Sequence, residues 1–225
     1  MARVHVVTLN TGDVRIEQAM FREWLMLSEH RYDLVMRYSP GAGFVRYADG
    51  RLEPWQSNKR LATLATVPIT SNLNKVVAEF LHDDADFLLV IANDQMPQFN
   101  PLDYVEHDLD VLGWPTPSCR ISAENPVPWF PCEPEPGAGL VRSEVVGGGI
   151  MLIARRVFEH PVMRAPFQFR YDEDGLFRQS EDYDFCIRAR EAGFTVWVDL
   201  DHWSLHWKTA EMWRIWKWKS EQNHT

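Results

Sequence analysis

The tightest constraint in the sequence is the segment Asp86-Phe-Leu-Leu-Val-Ile-Ala92, whose continuous apolar run breaks abruptly into Asn93-Asp94-Gln95. The run is far too short to cross a bilayer, and it lacks the polar–apolar alternation of a strand with one wet face. It reads as the central strand of a parallel sheet, covered on both faces. The rest of the chain must supply neighbours and covering layers for it.

Candidates stand on either side. Residues 4–9 are a short β-branched run that ends at the turn cluster Asn10-Thr11-Gly12-Asp13. Residues 15–28 place Ile16, Met20, Trp24 and Leu27 at helical spacing, and residues 32–38 read as a second strand. Residues 41–70 read as irregular. A helix is expected over 71–81, with Leu73, Val76, Val77, Phe80 and Leu81 as its apolar face. Another is expected over 101–112, with Pro101 in its first turn. Residues 114–139 are dense in proline and read as a long active-site or interaction loop. Gly147-Gly148-Gly149 leads into an apolar segment at 150–153. A helix over 181–192 is bracketed by Ser180 as N-cap and Gly193 as its stop, and a strand follows at 194–198. Strand and helix alternate through residue 92. This predicts an α/β fold with right-handed crossovers, a mostly parallel central sheet and helices on both faces. Ligands of such sheets bind outside the carboxyl ends of the strands.

A length of 225 residues fits one domain over the whole chain, with residues 205–225 as a Trp- and Lys-rich helical tail. No apolar stretch is long enough for a transmembrane segment, and the N-terminus lacks the pattern of a signal peptide, so a cytoplasmic location is expected. The formal net charge of −9 argues against a general duplex-DNA binder, which gathers basic surface to replace counterions. Cys119, Cys132 and Cys186 show no paired metal spacing and read as reduced thiols.

Three clusters could carry chemistry. Asn93-Asp94-Gln95 sits at the end of the central strand, where a carboxylate can hold a divalent cation on a diphosphate; the same residues are also ordinary turn formers. Ser180-Glu181-Asp182-Tyr183-Asp184 opens a helix. Acids favour that position through the helix dipole, but three in four positions exceed what capping needs. His206 follows His202 by four residues, just past the last strand.

Taken in order, the apolar strand with its acidic turn, GGGIMLIARRVF (147–158) and SEDYDFCIRAREAGFTVWVDLDHWSLHW (180–207) resemble family 2 of the GT-A fold glycosyltransferases, including its small single-domain bacterial and phage members. NKVVAEFLHDDADFLLVIANDQMP (74–97) adds to the resemblance, while residues 39–70 and 114–146 do not match. The resemblance implies a GT-A (Rossmann-like) domain that moves a sugar from a nucleotide donor, by default a UDP-sugar, to an acceptor hydroxyl with Mn²⁺ or Mg²⁺. Asn93-Asp94-Gln95 falls on the family's D-x-D motif, with amides at both ends and Asp94 between them. Asp94, Gln95 and His206 are the implied metal ligands. Asp182 is the implied base of an inverting reaction, with Glu181 beside it. Thr8, Asn10, Asn74, Asn93, Asp94, Gly148 and Gly149 are the implied donor contacts, with Arg60 a further one. Asp184 is expected to order the helix start through Arg188, four residues on.

The acceptor is left open among a glycan, a lipid-linked sugar and a modified nucleic acid. Trp55, Trp114 and Trp129 fall in the irregular stretches, where rings could stack on sugars or simply pack. The tail mixes Trp213, Trp216 and Trp218 with Lys208, Arg214, Lys217 and Lys219. That pattern suits internal or homodimer packing, a peripheral membrane contact or nucleic acid. Two other readings remain. A nucleotidyltransferase would want a Gly- and Lys-rich phosphate loop that Asn10-Thr11-Gly12-Asp13 does not provide. A catalytically degenerate nucleotide-sugar or glycan-binding relative is favoured by the two amides.

Overall fold

The computed structural model describes residues 2–9, 32–38, 42–49, 51–56, 69–92, 94–121, 126–129 and 135–206. The turn at 10–13, the helix expected at 15–28, Arg60, Asn93, Cys132 and the tail from 207 onward lie outside the described residues. The strands, in chain order, are β1 (Arg3–Leu9), β2 (Asp33–Tyr38), β3 (Ala42–Arg46), β4 (Leu52–Gln56), β5 (Phe87–Ala92), β6 (Gln95–Pro97), β7 (Val111–Gly113), β8 (Ser118–Ile121), β9 (Pro126–Trp129), β10 (Leu140–Arg142), β11 (Ile150–Ala154), β12 (Arg170–Tyr171), β13 (Phe177–Gln179), β14 (Val196–Asp199) and β15 (Ser204–His206). The α-helices are α1 (Ile69–His82), α2 (Arg155–Glu159) and α3 (Glu181–Glu191), and Pro101–His107 forms a 3-10 helix.

Nine strands form one sheet in the order β10-β14-β7-β11-β5-β1-β2-β3-β4. The fold is α/β, and the sheet is mixed rather than mostly parallel. β5, β1 and β2 run parallel to one another, as do β7 and β14. β11 is wedged antiparallel between β5 and β7, so all five of those strands point the same way. Their carboxyl ends, and the glycines that lead into β11, therefore share one edge of the sheet.

β5 is the buried strand its composition predicts. Phe87, Leu89 and Ile91 join a core layer with Val4, Val6, Leu112, Leu152, Leu102 and Val105, so the 3-10 helix covers that face. Leu88 and Val90 join the opposite layer with Val76, Phe80, Val157, Phe185 and Ala189, contributed by α1, α2 and α3. The expected apolar face of α1 is buried at Leu73, Val76, Val77 and Phe80, and Leu81 packs partly against it.

Two expectations change. The helix expected over 101–112 stops at Asp108, whose φ of 49° is left-handed. Asp tolerates that conformation better than most residues. The next apolar residues then enter the sheet as β7, between β11 and β14. Residues 41–70 are not wholly irregular, because β3 and β4 extend the sheet as an antiparallel meander from β2. Pro54 lies in β4, the last strand of the sheet among the described residues, and edge strands are where proline is tolerated. No helix among the described residues is long and apolar enough to cross a membrane.

The edge away from the strand carboxyl ends is closed by Arg155. Its Nη1 donates to the carbonyls of Phe80 (3.3 Å), Asp83 (2.9 Å) and Ala85 (3.0 Å), and its Nη2 to that of Leu81 (2.9 Å). One guanidinium thus satisfies the carbonyls left over where α1 ends and the chain turns into β5. Arg155→Ala should cost about 2–3 kcal/mol of stability, the range for lost hydrogen bonds to a charged group. Urea unfolding would measure it, and a midpoint equal to that of the parent chain would contradict this capping role.

Candidate functional site

The polar residues that follow the strands meet at the shared edge. β6 leaves the main sheet after β5 and pairs antiparallel with β15, setting His206 opposite Gln95 and Leu205 opposite Met96. His206 Nε2 lies 3.1 Å from Asp94 Oδ2, and its Nδ1 is bonded to the Pro117 carbonyl oxygen. A carbonyl can only accept, so Nδ1 carries the proton and Nε2 is the nitrogen turned toward the carboxylate. Anchoring one ring nitrogen on the backbone is how proteins aim the other at a cation.

Gln95 is buried, and its Oε1 accepts from Ser204 Oγ at 2.6 Å. The structure therefore gives this expected metal ligand a different task, tying β6 to β15. Ser204 Oγ also meets Thr116 Oγ1 at 3.4 Å. A Cβ placed on Gly149 would lie 2.7 Å from Thr116 Oγ1 and 3.2 Å from the Gln95 amide carbon. Glycine is required here by close packing, since neither Gly148 nor Gly149 has a positive φ.

The second expected motif arrives from the other side. Asp182 Oδ2 accepts from the Gly148 N–H at 2.7 Å, and a Cβ on Gly148 would lie 3.2 Å from that of Asp182. Asp182 Oδ1 accepts from Tyr183 N at 2.8 Å and from the Ser180 hydroxyl. Ser180 holds the expected N-cap position of α3, but its hydroxyl is spent on Asp182 and caps no backbone N–H. Asp184 is buried and paired with Arg188 Nε at 2.8 Å, as the four-residue spacing predicts, and also with Arg170 from β12. Residues 94–95, 116, 148–149, 182, 204 and 206 thus form one connected set.

The remaining expected residues fall elsewhere or are only partly described. Thr8 lies near the carboxyl end of β1, in register with Ile91. Asn10 and Asn93 are outside the described residues. Asn74 is removed from the set of donor contacts. Its amide clasps the Phe167 backbone, donating to the carbonyl (2.9 Å) and accepting from the N–H (3.0 Å), which fixes the 167 segment on α1. Cys186 is buried, and burial pushes its thiol up to about 12, so it does not ionise near neutral pH.

The sequence reading also missed an anchor beneath the loop that leads from β14 to β15. Buried Asp199, at the end of β14, accepts from His202 Nδ1 (2.7 Å), from the Asp201 N–H (3.0 Å) and from the Tyr104 hydroxyl. Burial and then the contact with Asp199 push the Tyr104 hydroxyl up, so it stays a donor. Phe99 and Trp114 pack beside it, with ring centroids 5.0 Å apart. This cluster fixes residues 199–202, from which the chain runs on to His206. Its one sequence signal was an acid at a strand end. Its partner Tyr104 is 95 residues away and carried none.

No protein-family model and no curated protein matches the chain. The solved structure of A197 from STIV is similar to it, with a TM-score of 0.50 and 14% identity over 92% of this chain and 86% of that one. At this identity the similarity concerns the fold alone.

Burial raises the Glu181 carboxyl above its ordinary value, its own backbone N–H partly offsets this, and the charge of Asp182 adds to the rise. The folded chain therefore holds this proton more tightly than the unfolded one. Below the ordinary carboxylate range both states are protonated and the position costs nothing. As pH rises through that range the cost appears, and above the folded value it is complete. Glu181→Gln should accordingly raise Tm at pH 7 by about 1–2 °C, a small change because the position is partly screened by water. The gain should vanish below about pH 4. A variant no more stable than its parent at pH 7 would contradict the burial cost.

Proposed function

We propose that the chain is a GT-A type glycosyltransferase that moves a sugar from a nucleoside-diphosphate donor, by default a UDP-sugar, to an acceptor hydroxyl. The observation that carries this reading is the 2.7 Å hydrogen bond from the Gly148 N–H to Asp182. It joins the acidic helix start to the glycine segment, and Gly149 in turn packs on Gln95 and Thr116, next to the Asp94–His206 pair. Motifs far apart in sequence thereby face one edge, outside the carboxyl ends of five co-directional strands, where ligands of such sheets bind.

The residues present fit a divalent cation. Asp94 Oδ2 and His206 Nε2 offer one oxygen and one correctly oriented nitrogen, a donor pair that suits Mn²⁺ or Mg²⁺ when diphosphate oxygens complete the shell. Among the described residues no group of three His, Cys, Asp or Glu side chains could hold a metal ion, so these two would hold it with the substrate's help. When bound, such an ion supplies charge stabilisation for the leaving diphosphate.

The chain's own residues do the rest. The Gly148–Gly149 backbone, free of Cβ atoms, passes close enough to Asp182 for the Gly148 N–H to orient its carboxylate. Asp182 takes the proton from the acceptor hydroxyl as that oxygen attacks the anomeric carbon. Its carboxylate is held still by Gly148, Tyr183 and Ser180, so little reorganisation is needed. The amides at 93 and 95 favour a second reading, a donor- or glycan-binding relative without turnover. The two readings separate on turnover with binding retained.

Thermal melts against nucleoside diphosphates and UDP-sugars, with and without Mn²⁺, test this directly. A nucleotide at 100 times its Kd adds about 2.7 kcal/mol, a rise of roughly 5–10 °C, and the rise should require the metal. His206→Ala should remove the metal-dependent part, and unchanged manganese dependence would refute its ligand role. Asp182→Asn can still accept from Gly148 through its amide oxygen. It should keep the nucleotide shift and lose transfer at least 100-fold, the lower range for a lost general base. Normal transfer by that variant would remove Asp182 as base.

A further inference from the structure

One surface feature is not used by this mechanism. Five large hydrophobic side chains are well exposed among the described residues, and three of them sit on the β12–β13 hairpin: Tyr171 (59%), Leu176 (60%) and Phe177 (57%). Their clustering on so short an element calls for an explanation, since scattered exposed apolar residues would not. Tyr171 pairs in register with Phe177, their ring centroids 6.2 Å apart at 75° to each other. Phe169 extends the row, 6.0 Å from Phe177. Two rings at nearly right angles make a corner with one flat apolar floor and one wall.

The hairpin is held rigidly. Asp172 Oδ1 accepts from the N–H groups of Asp174 (3.1 Å) and Leu176 (2.8 Å), its other oxygen accepts from Arg178 Nε (2.8 Å), and Gly175 takes the positive φ of 77° that the turn needs. At its base, Arg170 is paired with buried Asp184 of α3. That same helix start carries Asp182, only five residues after Phe177. The aromatic corner is therefore clamped to the turn that presents the proposed base.

We infer that the Tyr171–Phe177 corner binds a pyranose ring of the acceptor, so that the acceptor is a glycan. The inference rests on the transferase reading for its choice of ligand. A sugar ring has an apolar C–H face that lies flat on an aromatic ring, and rim hydroxyls that need polar neighbours. The hairpin that carries the rings also carries Arg170, Asp172, Arg178 and Gln179, so the apolar corner sits on an otherwise polar element. A membrane is the poorer occupant, because the acids Asp172, Glu173 and Asp174 outnumber the hairpin's basic residues Arg170 and Arg178, and anionic headgroups would gain no net attraction. A second copy is also disfavoured, because a two-fold pairing would bring the same acidic turn against itself.

Saturation-transfer NMR with cellobiose, lactose, maltose and chitobiose tests this on the full chain, alongside nucleotide melts of the same samples. At least one disaccharide should receive saturation on its ring protons. The double variant Tyr171→Ala/Phe177→Ala should weaken that binding about tenfold or more, while leaving melting and nucleotide shifts unchanged. Tyr171→Phe should retain it, since only the ring face is used. The inference is overturned if no disaccharide binds, if the alanine variant binds as before, or if sedimentation shows the corner holding two copies together. Sugar binding that depends on the corner, with no nucleotide shift at all, would uphold this platform and sink the transferase reading. A nucleotide shift with no sugar binding would do the reverse.

Discussion

β5 can tolerate no polar side chain on either face, and the rest of the structure follows from that. An unpaired polar group in such a place would cost several kcal/mol, so the strand's sequence is apolar from Phe87 to Ala92. Its partner β11 is apolar on the same logic, and β1 buries Val4, Val6 and Val7 beside the buried polar residue His5, which faces Asp83. The helices α1, α2 and α3 on one side and the 3-10 helix on the other complete the two core layers. Polar chemistry is left only the ends of the strands. At one end a single arginine satisfies the chain turn before β5. At the other, where the buried strands stop, Asp94 meets His206 and Asp182 meets Gly148.

What holds that edge together is close backbone approach more than charge. Gly148 and Gly149 let the segment before β11 pass between Asp182 on one side and Gln95 with Thr116 on the other. Gly147, where a Cβ would meet nothing within 4 Å, is not required in the same way. The site is also economical in its hydrogen bonds. Ser180 orients Asp182, Ser204 engages Gln95, and the Pro117 carbonyl fixes the ring of His206. Each of these partners comes from an irregular stretch or a strand too short to announce itself.

That division explains what the sequence disclosed. Elements with a long periodic or continuous apolar signal, such as α1, β5 and α3, were legible, and so was the Asp184–Arg188 pair. The mixed character of the sheet was not, because the apolar run of β11 looks the same whichever way it points. The strand β7 was masked by helix-compatible neighbours, and only the left-handed turn at Asp108 and the vacancy between β11 and β14 made it a strand. Asn74 looked like a polar residue free to meet a ligand, yet its partner is the Phe167 backbone, 93 residues away. Tyr104 was invisible for the same reason, since a hydrogen bond across the fold to Asp199 leaves no local pattern.

The amides flanking Asp94 acquire a different meaning in three dimensions. Read along the chain, Gln95 stands where a carboxylate would be expected, and the substitution suggests a weakened metal site. In the fold, the 95 side chain is buried beneath Gly149 with its oxygen given to Ser204. A carboxylate there would need a second donor or would sit charged among apolar neighbours. Asp94, the residue before β6, meets His206 instead, whose Nδ1 is bonded to the Pro117 carbonyl and whose Nε2 faces the Asp94 carboxylate. On the proposed reading, one negative charge and one oriented imidazole would be a lean ligand set, and the ion's affinity would depend on the oxygens of a bound diphosphate. On this argument the metal and the nucleotide would bind together or not at all, and the amide at 95 is part of that coupling.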